Sequence, residues 1–147
     1  MKLLLQLLSI LRAIHWAHWT SHWKMKGDSF YSDHLLFQRM YEGMVEEIDG
    51  LAEKIVGTYG PEAVSDAPVI IGSMRFFNNH PEGASLYVRA LEMEDHLQKA
   101  IKTTYDALKA SGDITLGMDD FLMALASAHE TNQYLLRQKM RTASLQS

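Results

Sequence analysis

The chain has 147 residues, a formal net charge of −4, 47% hydrophobic residues and 22% charged residues. This length suits one domain with a substantial core, and the low glycine and proline content argues against disordered and fibrous proteins. The sequence has no cysteine, which excludes disulfides, thiolate zinc sites, iron–sulfur clusters and a cysteine nucleophile. The fourteen basic residues are scattered and outnumbered by eighteen acidic ones, a balance that argues against a nucleic-acid binder.

The first predicted helix covers about residues 2 to 26 and begins with the apolar segment MKLLLQLLSILRAI. Gln6 and Ser9 interrupt this segment, Arg12 follows it, and no small-residue cleavage site appears, so we interpret it as a helix rather than a signal peptide. No segment approaches the roughly 20 apolar residues of a membrane span. We therefore expect a cytoplasmic protein without a membrane segment.

The second predicted helix covers about 30 to 57, after Gly27 and a cap at Asp28 or Ser29. The connection from 58 to 80 is too long for a tight turn. Within it, the sequence DAP followed by VIIGSMRFF predicts a short helix of about two turns.

Two further long helices are predicted, from about 82 to 110 and from just after Thr115 to about 142. Four long helices with one long connection, between the second and third, describe the ferritin-type topology. The fold class expected for residues 1–147 is therefore all-α: a single domain built as a ferritin-like four-helix bundle, with a short helix in the crossover.

A metal-ligand pattern spans the first two helices. Three histidines lie three and four residues apart and share one helix face, next to a parallel row of tryptophans: His15, His18 and His22 beside Trp16, Trp19 and Trp23. The second helix adds His34, Glu46, Asp49 and Glu53. Imidazole nitrogens and carboxylate oxygens suit a divalent metal such as iron, so the pattern predicts a metal site in a helical bundle.

The segment from His22 to Gly57 resembles the signature of the Dps family of mini-ferritins. The matching positions are His22-Trp23, Lys26-Gly27, His34 with Phe37 and Tyr41, and the pair Asp49 and Glu53. Successive ligand positions are separated by twelve, fifteen and four residues, as in that family. The later segment HETNQYLLRQ, from His129, is similar to the last helix of the family.

The resemblance implies a hollow homo-oligomer, a dodecamer, with iron sites between two-fold-related subunits. His22 and His34 would come from one subunit, and Asp49 and Glu53 from its partner, and these four would be the catalytic ligands. The implied activity is a ferroxidase that oxidises Fe(II) with peroxide or oxygen and stores ferric mineral, as a defence against oxidative stress. Zinc and manganese are possible competitors for the site.

Two positions depart from the family pattern. Gln38 occupies the place of a common aspartate ligand, and a neutral amide is a weaker ligand that lowers the charge of the site. Glu46 or Glu42 could substitute for the missing carboxylate. His18 lies one turn before His22 and could be an extra ligand or a partner of one. The lysine-rich tails that often bind DNA in the family are absent from this sequence, so DNA binding is not expected.

Two other interpretations remain open. The protein could be a structural or interaction cage whose ferroxidase site is degraded by Gln38. It could also be a rubrerythrin-like di-iron enzyme working within one subunit, although Glu92 and His96 are one residue too far apart for a Glu-x-x-His motif. The remaining histidines, His15, His80, His96 and His129, are interpreted as structural. The tryptophans are interpreted as core or interface anchors.

Overall fold

The computed structural model describes the backbone of residues 1–145 and the side chains of residues 1–141. Its described residues form five α-helices and one 3-10 turn, Pro61–Ala63, and contain no strand, which confirms the all-α prediction. The helices are α1 (Lys2–Lys24), α2 (Phe30–Tyr59), α3 (Asp66–Asn79), α4 (Leu86–Ser111) and α5 (Leu116–Leu145).

The helix ends follow local backbone signals. Gly27 and Gly60 adopt φ values of 92° and 89°, which residues with a side chain rarely adopt, and they bound the two ends of α2. Gly112 closes α4 in a left-handed conformation. The hydroxyl groups of Ser85 and Thr115 accept hydrogen bonds from the backbone amides of Val88 and Met118, the third residues of α4 and α5. These ends lie within about four residues of the predicted ones.

The crossover helix α3 is longer than predicted, with 14 residues instead of about two turns. Ser65 is its N-cap residue and Asp66 is its first helical residue. Val69 and Phe76 are buried about one turn before and one turn after the helix centre, and the helix continues past the apolar segment through Asn78 and Asn79.

The helices group into two compact units, of which the first is Met1–Pro81. In it, α1 packs against both α2 and α3. The contact between α1 and α3 is close, because a Cβ added at Gly72 would lie 2.5 Å from the Ser9 hydroxyl oxygen. The Ser73 hydroxyl donates to the Ser9 carbonyl oxygen at 2.9 Å across the same contact. This unit contains all the residues expected to bind metal.

The second unit begins at Glu82 and consists of α4 packed against α5. Its core is mainly apolar and includes Met93, Leu97, Leu122, Leu125 and Leu136. Among the residues described, no helix combines the length and the apolar character needed to cross a lipid bilayer.

Candidate metal site

His22 and His34 lie against each other at the junction of α1 and α2. Their imidazole rings are stacked, with centroids 3.5 Å apart and planes inclined by 20°. Nδ1 of His22 bonds to the carbonyl oxygen of His34 at 2.7 Å, and Nδ1 of His34 bonds to the carbonyl oxygen of His22 at 2.9 Å. The two histidines therefore hold each other in place through a reciprocal pair of hydrogen bonds.

These bonds determine which ring nitrogen carries the proton. A carbonyl oxygen can only accept, so Nδ1 donates in both residues. In the neutral imidazole the other nitrogen, Nε2, then has the lone pair, which is the form that binds a metal. Since His22 is only 8% exposed and His34 is half-buried, both rings are also held by packing. The pair presents two Nε2 atoms whose orientation is fixed by the hydrogen bonds at Nδ1.

The reciprocal bonds also have a structural role. The last four carbonyl oxygens of a helix have no partner within it, and His22 lies in the last turn of α1. The imidazole of His34 supplies the missing donor to the His22 carbonyl and joins the end of α1 to the start of α2. Removing the ring would affect the fold as well as the site.

The carboxylates of the predicted site lie along one face of α2. Residues spaced by three or four positions form this face, called the α2 stripe: His34, Gln38, Glu42, Val45, Asp49 and Glu53. Asp49 and Glu53 are exposed, whereas His34 and Gln38 are half-buried. Within the residues that the structure describes, no three His, Cys, Asp or Glu side chains are placed to hold one ion. A single chain thus brings the two histidines together, but not with Asp49 and Glu53.

The other candidate ligands occupy different surroundings. His18 is completely buried, with its ring centroid 5.8 Å from that of Phe37. Glu46 is exposed on α2. His15 contacts the rings of Trp19 and Tyr41, and burial, followed by the nearby charges of His18 and Arg12, lowers its pKa.

Aromatic rings connect the histidine pair to an exposed apolar surface. Tyr41 lies 5.3 Å from His22 and stacks on Trp19 at 5.4 Å. Trp16 and Trp23, which are 49% and 55% exposed, contact each other edge to face. These two tryptophans are therefore not core residues of the chain.

Next to these rings is an open groove of about 460 Å³ between α1, α2 and α3. It is lined mainly by apolar side chains, among them Trp16, Trp19, Val45, Ile48, Ile70 and Met74. Val45 is 56% exposed and Met74 is 61% exposed. Large exposed apolar surfaces of this kind usually mark a binding partner.

A buried polar cluster in the second unit was not anticipated from the sequence. Nδ1 of His129 lies 2.5 Å from a carboxylate oxygen of Glu94, and both side chains are completely buried. The Asn132 amide donates to the other Glu94 oxygen at 3.4 Å. No short-range signal points to this pair, because its members are 35 residues apart on α4 and α5. His129 does have the structural role expected of it.

Comparison with protein sequences gives distant relatives. No family model matches the chain. It is 30% identical over 120 residues to an uncharacterised low temperature-induced protein of Nostoc sp. and equally to its homologue from Anabaena variabilis, covering 79% of this chain and 65% of theirs. It is 28% identical over 94 residues to the DNA protection during starvation protein of Helicobacter pylori, covering 63% of this chain. The chain spans 65% of the length of each of these relatives.

Comparison with solved structures gives matches over nearly the whole chain. DpsC from Streptomyces coelicolor is 25% identical, with a TM-score of 0.76 over 95% of this chain and 81% of that one. Dps from Thermosynechococcus elongatus is 19% identical, with a TM-score of 0.78 over 95% and 90% of the two chains. Mycobacterium smegmatis Dps has a TM-score of 0.79 at 20% identity, over 94% and 83%. The predicted ferritin-like fold is confirmed, and the chain is similar in sequence and fold to Dps proteins.

Proposed function

We propose that the protein is a mini-ferritin cage that oxidises Fe(II) at sites between two-fold-related subunits and stores the ferric product. The observation that carries the proposal is the reciprocal His22–His34 pair, which leaves the Nε2 lone pair of each ring available to a metal. Two nitrogens alone are an incomplete ligand set for iron. The site therefore needs oxygen ligands that one chain does not bring to it.

The spacing of the α2 stripe supports a second subunit as their source. The point midway between His34 and Glu53 lies between Gly43 and Met44, and so does the point midway between Gln38 and Asp49. A two-fold axis through this point would pair two antiparallel α2 helices. His34 of one chain would then face Glu53 of the partner subunit, and Gln38 would face Asp49 of the partner subunit.

The apolar groove also supports contact with a second subunit. Val45 belongs both to the α2 stripe and to the groove, so a second copy centred on the stripe would also cover the groove. Tryptophans are common anchors in such contacts, and Trp16 and Trp23 are the exposed ones here. The dodecameric assembly and the cytoplasmic location are proposed on the family resemblance.

The proposed reaction uses iron as substrate. Two Fe(II) ions give one electron each to hydrogen peroxide, which takes up two protons and forms two water molecules, leaving two Fe(III) ions. Delivering both electrons from one site avoids the hydroxyl radical that a single electron would release. Oxygen is the alternative oxidant. Zinc and manganese would compete, because nitrogen and carboxylate ligands suit them too.

The test uses substitutions that separate ligation from structure. In H34N, the Asn side-chain amide occupies the place of Nδ1 and keeps the bond to the His22 carbonyl, but it removes Nε2. We expect wild-type protein with Fe(II) and peroxide to develop ferric absorbance, and we expect H34N and D49N each to lose it. All three should have the same elution volume in size-exclusion chromatography.

Co-expression of H34N and D49N tests whether the site is shared. If subunits mix at random, half of the pairs are mixed, and each mixed pair contains one intact site, so about a quarter of the activity should return. A site within one chain would give no recovery. If wild-type protein assembles but forms no ferric product above a blank, it is a structural cage and the ferroxidase proposal is wrong.

A further inference from the structure

The contact between Gln38 and Glu42 bears on the carboxylate missing from the site. Nε2 of Gln38 donates a hydrogen bond to Oε1 of Glu42 at 2.8 Å. Because a carboxylate oxygen cannot donate, the amide group must turn its nitrogen toward Glu42. The Glu42 carboxylate thus lies next to the end of the Gln38 side chain, although the two backbone positions are one helical turn apart.

We propose that Glu42 is an iron ligand and supplies the third carboxylate of each site. This inference rests on the proposed function, since it names a ligand of that same site. An aspartate at position 38 would place its charge beside His34. Here Glu42 places a carboxylate within hydrogen-bond distance of that position, from a backbone about 6 Å further along α2.

The pairing of α2 helices supports this role. Under the two-fold symmetry described above, Glu42 would face Val45 of the partner subunit, one turn from Asp49 of the partner subunit. The two carboxylates would then lie on one side of the pair and could bind a second ion next to the one held by His22 and His34. A third negative ligand also offsets more of the charge that two iron ions gain on oxidation.

Glu46 is the competing candidate, and the contacts separate the two. Glu46 is exposed like Glu42, but among the described residues no hydrogen bond joins it to the α2 stripe. Glu42 is bonded to Gln38, which is itself half-buried on the stripe. The Glu42 carboxylate is therefore held against the Gln38 side chain of the stripe before any ion or partner is present.

The experiment measures anaerobic Co(II) binding, since Co(II) resembles Fe(II) in its ligand preferences, is coloured, and does not react with oxygen in this setting. We expect E42Q to halve the Co(II) bound per chain relative to wild type. In E42Q the new amide can still bond to Gln38, so the helix and the assembly should be preserved. The double variant Q38D/E42Q should restore the wild-type amount.

Two other variants serve as comparisons, E46Q as the competitor and E130Q as a matched exposed glutamate on α5. Both should bind as much Co(II) as wild type. Full binding by E42Q, or halved binding by E46Q, would overturn the assignment of Glu42 while leaving the proposed function intact. If wild-type protein binds no Co(II), the proposed function fails first, and the assignment fails with it.

Discussion

The buried Glu94–His129 pair should be a major determinant of stability. Both side chains have no exposed surface, and their closest atoms are 2.5 Å apart. Replacing one partner of such a pair leaves a buried polar group without its main counterpart, at a cost of about 3–5 kcal/mol. We therefore expect H129L to lower the free energy of unfolding by this amount. For a chain of this size, that corresponds to a decrease in Tm on the order of 10 °C.

The double variant tests the physical reason. Replacing both partners with apolar residues, as in E94M/H129L, removes the polar group that H129L leaves behind. We expect this variant to be as stable as wild type or more stable by about 1–4 kcal/mol. The two substitutions should therefore be strongly non-additive, as expected for residues in direct contact.

The assay is urea unfolding followed by circular dichroism, at one fixed protein concentration because assembly adds to apparent stability. The control is D106N, which breaks an exposed ion pair with Lys102 on the same helix α4. It should cost no more than about 0.5 kcal/mol. A loss below about 1 kcal/mol in H129L, or a double variant as unstable as the two singles combined, would refute the reasoning.

Three further outcomes are expected. G72A should destabilise the protein by about 1–3 kcal/mol, because its methyl group would overlap Ser9. Adding S9G to G72A should recover part of this loss in thermal unfolding. An unchanged Tm in G72A would contradict the close contact. Burial, and then the charge of Lys99, lowers the pKa of His96, so its contribution to stability is present above about pH 6.5 and is lost as the pH falls through the folded-state pKa. The Tm of H96Q should accordingly vary less between pH 7.5 and 5.5 than that of wild type, and parallel profiles would rule this out. V45K should place a charge in the apolar groove and shift the protein to smaller species in size-exclusion chromatography, whereas an unchanged elution volume would mean that this face is not a subunit contact.

The long helices could be predicted from sequence because their signals are local. Glycines, capping hydroxyls and apolar periodicity lie within a few residues of each helix end, so the predicted and observed ends nearly coincide. The length of α3 was underestimated, because the helix continues through the polar residues Asn78 and Asn79 after the apolar segment. No apolar periodicity marks this end of the helix in the sequence.

The site could be predicted only in part for the same reason. The spacing from His22 to His34 indicated two ligands, and the structure brings their rings together. The exchange of bonds with each other's carbonyl groups depends on the angle between α1 and α2, which no short-range pattern encodes. The Glu94–His129 pair could not be predicted, because its members are 35 residues apart and the contact joins two helices, whereas sequence spacing relates only residues on the same helix. The roles of Asp49 and Glu53 stay predictions, because they depend on a second chain.

The mutual anchoring of His22 and His34 has a kinetic consequence. One half of the proposed site is complete within each folded chain, and the second chain supplies the other half. Iron oxidation would therefore begin only when two chains pair. At high dilution the rate of iron oxidation per chain should then depend on protein concentration, and the total rate should rise with its square. Newly made, unpaired chains would hold iron weakly and leave it unoxidised until a shell begins to form around it.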